Sequence, residues 1–324
     1  METLIQLFLP VSIWFQNIPA WLAAIFKGIT FLGNTEFYLI IMPALFWCID
    51  ATLGIRIGIM LLVSGGLNNF LKFVFQWPRP FWVSSRVSSL AEGAGFGFPS
   101  GHAQNAVSIW GLLGTSTRKI WLRWAFALIV FLIGLSRIVM GVHFTQDVLA
   151  GWLTGAVLLW LYLKLEEGVG AWFRDNSLLF QILALLLASS LFIIPALLIV
   201  PPFNPPALPQ TWIEGAGEMI EPYHYEGIMT TAGSFLGLGL GMILLNQSGG
   251  FSARGSVWQR ILRYLAGILG VLALYLGLGS VFPKEIDLLS YSLRFLRYFL
   301  IGLWIAYGAP KLFTWLKLIE IKGP

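Results

Sequence analysis

The chain has 324 residues, of which 57% are hydrophobic and 11% charged, with a formal charge of +5 and a mean hydropathy of +0.80. Soluble domains carry about a quarter charged residues, so this composition excludes a soluble globular fold. The small positive charge, spread over this length, excludes a nucleic-acid surface and reads as a topology signal. An all-α, polytopic transmembrane helix bundle is the expected architecture. The 15 Trp and 9 Tyr fit aromatic belts at the two membrane interfaces. Cys48 is the one cysteine, so an internal disulfide is excluded. The N-terminus has no basic run and no small-residue cleavage site, and is read as mature sequence rather than a signal peptide.

Residues 1–30 are apolar but broken by Pro10 and Pro19 and dotted with Gln6, Gln16, Asn17 and Lys27. That pattern predicts N-terminal helices lying in the membrane interface. Gly33-Asn34-Thr35 punctuates the chain, and Asn34 or Thr35 is a candidate cap for the next helix. Apolar runs follow at 35–49, 53–75, 100–116, 120–138, 146–164, 178–200, 228–246, 259–281 and 290–309, which predicts about nine spans. The first and third of these are short for a crossing. A Pro-rich patch, Pro201-Pro202-Phe203-Asn204-Pro205-Pro206, starts a stiff loop. The expected organisation is an interfacial segment 1–30, a transmembrane core 31–200, an extracytoplasmic loop 201–227 and an additional C-terminal transmembrane bundle 228–324.

Lys and Arg set the orientation. Arg56, then Arg118, Lys119 and Arg123, then Lys164 and Arg174, then Arg254, Arg260 and Arg263, then Lys311, Lys317 and Lys322 fall at alternate turns, which predicts those turns to be cytoplasmic. The opposite turns include the segment 201–227, which has Glu214, Glu218, Glu221 and Glu226 and no Lys or Arg.

Three blocks on that opposite, extracytoplasmic face carry chemistry. The first is Lys72, six intervening residues, then Arg79-Pro80. A lone Lys at a span end usually snorkels to the headgroups, but Arg79 follows in a turn stiffened by Pro78 and Pro80, which helps aim its planar fork at phosphate oxygens. The second is Pro99-Ser100-Gly101-His102 at the start of a helix. Free N–H groups there attract anions, Gly101 admits close backbone approach, and Ser100 caps or donates a hydrogen bond. A capped helix start with an interfacial His is the equally weighted plain reading of this tetrapeptide. The third is Ser136-Arg137, then His143 and Asp147 at i and i+4, sharing one helical face. A carboxylate bonded to one ring nitrogen sets the tautomer and frees the other nitrogen as a nucleophile. The residues alone leave open which histidine attacks; only His143 has a carboxylate near in sequence. Three cations, two imidazoles and one carboxylate on one membrane face fit phosphoryl transfer.

These blocks resemble the signature of the type-2 phosphatidic acid phosphatase superfamily, the membrane lipid-phosphate phosphatases, over about residues 30–165. The Gly33-Asn34-Thr35-Glu36-Phe37-Tyr38 stretch and the Trp77-Pro78-Arg79-Pro80 turn are also similar to the sphingosine-1-phosphate phosphatase branch, which has Thr where this chain has Gly101. The resemblance implies a metal-independent phosphatase with no cofactor. His143 attacks phosphorus and forms a phosphohistidine, Asp147 holds His143, and His102 protonates the leaving alkoxide and then activates water. Lys72, Arg79, Ser100, the Gly101 amide and Arg137 bind the phosphoryl oxygens. The implied substrate is a lipid phosphate such as phosphatidate, a prenyl diphosphate or a sphingoid phosphate, with vanadate or phosphate as inhibitors. The implied location is a multi-pass plasma membrane position with the active site outside. Two other functions fit the same chain: a lipid phosphotransferase discharging the same phosphohistidine to a hydroxyl, and a lipid transport or binding protein with a vestigial site.

Weaker features complete the reading. His224, between tyrosines, is more simply a solvated loop residue than a substrate or pH contact. At least one of Asn68 and Asn69 should hydrogen-bond inside the bundle. Glu36 is as well read as a cap as a partner of a phosphate-site cation. The stretch Gly233–Gly241 predicts close helix packing. Arg294 and Arg297 reach headgroups or snorkel.

Overall fold

The computed structural model describes residues 2–319 apart from 92, 94, 218 and 284. Glu218 and Lys322 lie outside the described residues, as does the side chain of Thr35. Every regular element among the described residues is helical. The elements are α1 Glu2–Phe15, α2 Ala20–Phe31, α3 Thr35–Cys48, α4 Ala51–Phe75, α5 Pro80–Val83, α6 Gly101–Thr115, α7 Ile120–Val139, α8 Thr145–Asp175, α9 Leu178–Ile199, α10 Gln210–Ala216, α11 Glu226–Gln247, α12 Val257–Leu272, α13 Leu278–Val281, α14 Leu288–Leu303 and α15 Ala309–Trp315. Single π-turns, Ala273–Gly277 and Trp304–Gly308, join α12 to α13 and α14 to α15.

Among the described residues, seven helical stretches are long and apolar enough to cross a bilayer, beginning at Ala51, Ile120, Thr145, Leu178, Glu226, Val257 and Leu288. The protein is an integral membrane protein. Two of the nine expected spans fall short. The runs at 35–49 and 100–116 do form helices, but α3 has 14 residues and α6 has 15. At ~1.5 Å per residue they reach only about 21–23 Å, against a hydrocarbon core of about 30 Å. The N-terminal helices meet at 114° between Phe15 and Ala20 and together count as an eighth crossing only if the bent pair is a single broken span. Pro19 occupies the N-cap of α2 and stops the first helix from continuing through the bend.

The chain forms two compact units that interleave along the sequence. One comprises Met1–Phe37, Leu67–Leu165 and Ala196–His224. Its core gathers buried Phe81, Trp82, Val87, Phe96, Val139, Met140 and Val142, with Ile13, Trp212 and Tyr223 packed against them. The segment after the Pro-rich patch is not a bare loop. It contains α10, which packs on α5: Trp212 lies 6.2 Å from Trp82, and a Cβ on Gly215 would strike the Trp82 carbonyl.

The other unit comprises Tyr38–Gly66, Glu166–Pro195 and Tyr225–Pro324. Its core is built on Phe46, Trp47, Leu238, Ile301, Ile305 and Phe313. The Trp47 indole donates to the Ile305 carbonyl at 2.9 Å. The glycine run of α11 packs as expected of small residues between spanning helices. Gly233 and Gly237 lie against the Phe295 and Phe299 carbonyls of α14, with no room for a Cβ. Outward faces of the long helices are apolar, with Trp124, Leu128, Leu153, Leu187 and Leu198 largely exposed, as a lipid-facing surface requires.

Candidate active site

All eight residues singled out for chemistry lie in Leu67–Leu165, within one compact unit. Lys72 is in the last turn of α4. The helix stops at Phe75, about one turn short of Arg79, because Gln76 adopts a left-handed conformation, φ 50, that few non-glycine residues accept. Its amide is held on both sides, accepting from the Tyr223 hydroxyl at 3.0 Å and donating to the Phe73 carbonyl at 3.0 Å. The chain then turns through Trp77-Pro78 and presents Arg79 at the N-cap of α5 in an extended conformation.

Arg79 is buried, 2% exposed, and spends donors on the main chain. Its Nε donates to the Gly95 carbonyl at 2.8 Å, Nη1 to the Val142 carbonyl at 2.8 Å and Nη2 to the Phe96 carbonyl at 3.4 Å. The guanidinium therefore ties the loop before Ser100 to the loop before His143. Sequence spacing suggested only a phosphate ligand; the clamp on two loops is an added role. His224 lies beside this loop, its Nε2 3.7 Å from where a Cβ on Gly95 would sit.

Ser100 takes the N-cap position of α6, but of the two roles expected of it, capping or donating, its side chain makes no capping bond. Its backbone N–H instead donates to the Asp147 carbonyl at 2.9 Å, and its buried hydroxyl has no hydrogen-bond partner. It is left as an uncommitted buried donor. Gly101 follows, where a Cβ would come within 2.8 Å of Asn68 Oδ1. Asn68 is buried and donates to the Pro99 carbonyl at 3.2 Å and to Gln104 Oε1 at 3.0 Å, which fixes the start of α6. His102 Nε2 meets Asn34 Oδ1 at 2.9 Å. Asn34 was legible only as a possible cap; its role here is to hold the imidazole.

Arg137 ends α7, 3% exposed, and its Nη1 donates to Thr30 Oγ1 at 2.6 Å. Gly141, at φ +70, then reverses the chain. His143 Nδ1 stands 3.4 Å from Asp147 Oδ2, and the same oxygen accepts the Phe144 N–H at 2.9 Å. Both side chains are buried, His143 at 2% and Asp147 at 0% exposure. With Nδ1 turned to the carboxylate, the Nε2 edge is the one free to react. Gly97 lets the neighbouring loop pass: a Cβ there would sit 2.7 Å from the Pro78 carbonyl and 3.2 Å from Asp147 Oδ2. Burial, and then the positive charges of Arg79, Arg137 and Lys72, hold the His143 imidazole well below the ordinary histidine range, so it is neutral at pH 7. A neutral, carboxylate-oriented imidazole among three cations is suited to attack a phosphoryl group.

A profile described as the PAP2 superfamily matches residues 53–169, and one described as PAP2 superfamily phosphatase, transmembrane extension, matches 229–321. Phosphatidylglycerophosphatase B of Bacillus subtilis is 32% identical over 165 residues, covering 46% of this chain and 77% of that protein. This chain belongs to the PAP2 superfamily. The first matched segment of this PAP2 protein carries all eight candidate residues; the second begins three residues into α11 and runs through α15. Human glucose-6-phosphatase 3 is 32% identical over 177 residues, 45% of this chain and 49% of that one. Rat sphingosine-1-phosphate phosphatase 1 is 30% identical over 161 residues, 47% of this chain and 36% of that one. The chain spans about half the length of the glucose-6-phosphatase relatives it matches. Among solved structures, a transmembrane PAP2-type phosphatidylglycerolphosphate phosphatase from Bacillus subtilis aligns at a TM-score of 0.43 with 25% identity, over 52% of this chain and 87% of that one.

Proposed function

We propose that this PAP2 protein is a phosphoric-ester hydrolase that removes phosphate from a lipid phosphomonoester or diphosphate through a phosphohistidine, with its site on the extracytoplasmic face of the plasma membrane. The observation that carries the reading is the buried His143–Asp147 pair under the field of Lys72, Arg79 and Arg137.

In the first step His143 Nε2 attacks phosphorus, the P–O bond to the lipid breaks, and His102 gives its proton to the departing alkoxide. In the second, His102 takes a proton from water, the hydroxide attacks the phosphohistidine, and His143 leaves with its electron pair as phosphate departs. Two lower barriers replace one high one. The cations, the Ser100 hydroxyl and the Gly101 amide at the start of α6 stabilise charge on the three equatorial oxygens. Asp147 stabilises the positive charge that His143 acquires.

The names of these relatives share one chemistry, a phosphomonoester: a glycerophosphatide, a sphingoid phosphate and a sugar phosphate. A lipid is favoured here because the site residues lie on or beside the ends of the apolar stretches Ala51–Val83, Ile120–Val139 and Thr145–Asp175, each long enough to cross a bilayer. The test is phosphate release by purified protein in detergent with EDTA, on phosphatidate, phosphatidylglycerophosphate, sphingosine phosphate, a prenyl diphosphate and glucose 6-phosphate. Wild type should release phosphate from at least one lipid, vanadate should inhibit it, and His143→Ala should lose about 10³-fold or more while remaining folded. Full activity in His143→Ala would sink the mechanism, and a strict Mg²⁺ requirement would sink the metal-independent reading. Release from glucose 6-phosphate alone would move the substrate out of the lipid class.

A further inference from the structure

The unit that holds the C-terminal helices has a cavity of about 520 Å³. It opens between the first turn of α11, the stretch Tyr275–Pro283 and the first three turns of α14, and none of the candidate catalytic residues lines it. Its charged lining is two arginines, Arg294 and Arg297, against two carboxylates, Glu226 and Glu285. Arg294 is committed: its Nη1 pairs with Glu226 Oε2 at 3.1 Å and its Nε donates to Thr230 Oγ1 at 3.1 Å.

Arg297 differs. No carboxylate among the described residues lies within ion-pair distance of it. Its Nη2 reaches the Tyr298 hydroxyl at 3.3 Å, and its Nε is buried with no hydrogen-bond partner. Its guanidinium is held by two rings, 4.7 Å from the Tyr275 centroid and 5.0 Å from that of Tyr298. The fork is thus braced in place while most of its donors stay uncommitted, an arrangement suited to a phosphate.

The rim identifies the source of that phosphate. Leu276, which lines the cavity, is 61% exposed; Val281, next in sequence to the lining residue Phe282, and Leu288, two residues before the lining residue Ser290, are 78% and 70% exposed. A charged interior opening among apolar side chains on spanning helices matches a headgroup inside with acyl chains lying along the outside. The charges identify the class: two positive and two negative groups cancel, so a headgroup of net negative charge gains little, whereas one carrying both a phosphate and an amine can satisfy both signs. We propose that this cavity binds the headgroup of a zwitterionic phospholipid, its phosphate on Arg297. The site is independent of the hydrolase reading, and its test reads binding rather than phosphate release.

The experiment is native mass spectrometry of the full chain in detergent micelles, titrated with dioctanoylphosphatidylethanolamine, dioctanoylphosphatidylglycerol or inorganic phosphate. Wild type should hold the ethanolamine lipid at least tenfold more tightly than the glycerol lipid, and millimolar phosphate should not displace it. Arg297→Ala should weaken that binding at least tenfold. Ser280→Trp, which narrows the cavity from an exposed position and takes nothing out of the core, should do the same and guards against misfolding of the arginine variant. Unchanged retention in folded Ser280→Trp, equal affinity for the two lipids, or displacement by phosphate alone would each overturn the assignment.

Discussion

At the scale of single residues, the site is defined by how each imidazole is held. Asp147 faces Nδ1 of His143, and Asn34 faces Nε2 of His102. Asn34 touches no part of the proposed phosphate cradle directly and acts by positioning. Removing its oxygen in Asn34→Ala should lower kcat by about ten- to a hundredfold, the effect of losing a hydrogen bond worth about 1.5–3 kcal/mol. KM should hold, and Asn34→Asp should recover part of the rate; an equal loss in KM would make the role one of substrate binding. The pH profile tests His143. Its imidazole is held below the ordinary histidine pKa by burial and by three cations, so the reactive neutral form persists as pH falls through about 6.5. After correction for the titration of the substrate phosphate and of the acid His102, the limb for loss of neutral His143 should lie below that value. An acid limb centred at the ordinary histidine value would contradict this assignment.

At the scale of elements, two kinds of contact organise the helices. Around the site, short loops are tied by side-chain donors: Arg79 holds two loops through three carbonyls, and Asn68 holds the entry to α6. In the C-terminal helices, close packing dominates. α11 and α14 approach until Gly237 meets the Phe299 carbonyl and Gly302 leaves only 2.6 Å between a would-be Cβ and the Ser234 carbonyl. Gly237→Leu should force the helices apart and cost about 1–3 kcal/mol or more, an overpacking penalty. It should appear as a lower midpoint in thermal unfolding in detergent. Gly277, where a Cβ meets nothing, is the control site; Gly277→Leu should leave the midpoint unchanged or raise it, and an equal fall there would remove helix–helix packing as the cause.

At the scale of the whole molecule, the distribution of Lys and Arg predicts an orientation that labelling can read. In a Cys48→Ala background, Ser89→Cys lies on the loop of the motif blocks and Arg118→Cys lies at the turn after α6, both at exposed positions. A membrane-impermeant maleimide added to intact cells should label the first and spare the second until the membrane is permeabilised. The reverse pattern would place the site in the cytoplasm and remove the extracytoplasmic reading.

Composition by itself determined the membrane class, because an apolar fraction this high has no soluble fold to enter. The order of the blocks by itself pointed to phosphoryl transfer and to the candidate residues, because His143 and Asp147 are one helical turn apart and the Ser100-Gly101-His102 run is contiguous. Nine apolar runs predict spans, and among the described residues seven helices have the length and apolarity to cross, since apolarity marks a run but not the length of helix it forms. Only the tertiary structure decided which groups hold the site residues. Asn34 is 68 residues from His102, Thr30 is 107 from Arg137, and Tyr223 is 147 from Gln76. Helical periodicity links residues a few positions apart, so contacts of this range leave no mark in the pattern of the chain. They exist because packed helices bring distant polar groups into a membrane interior where each must find a partner.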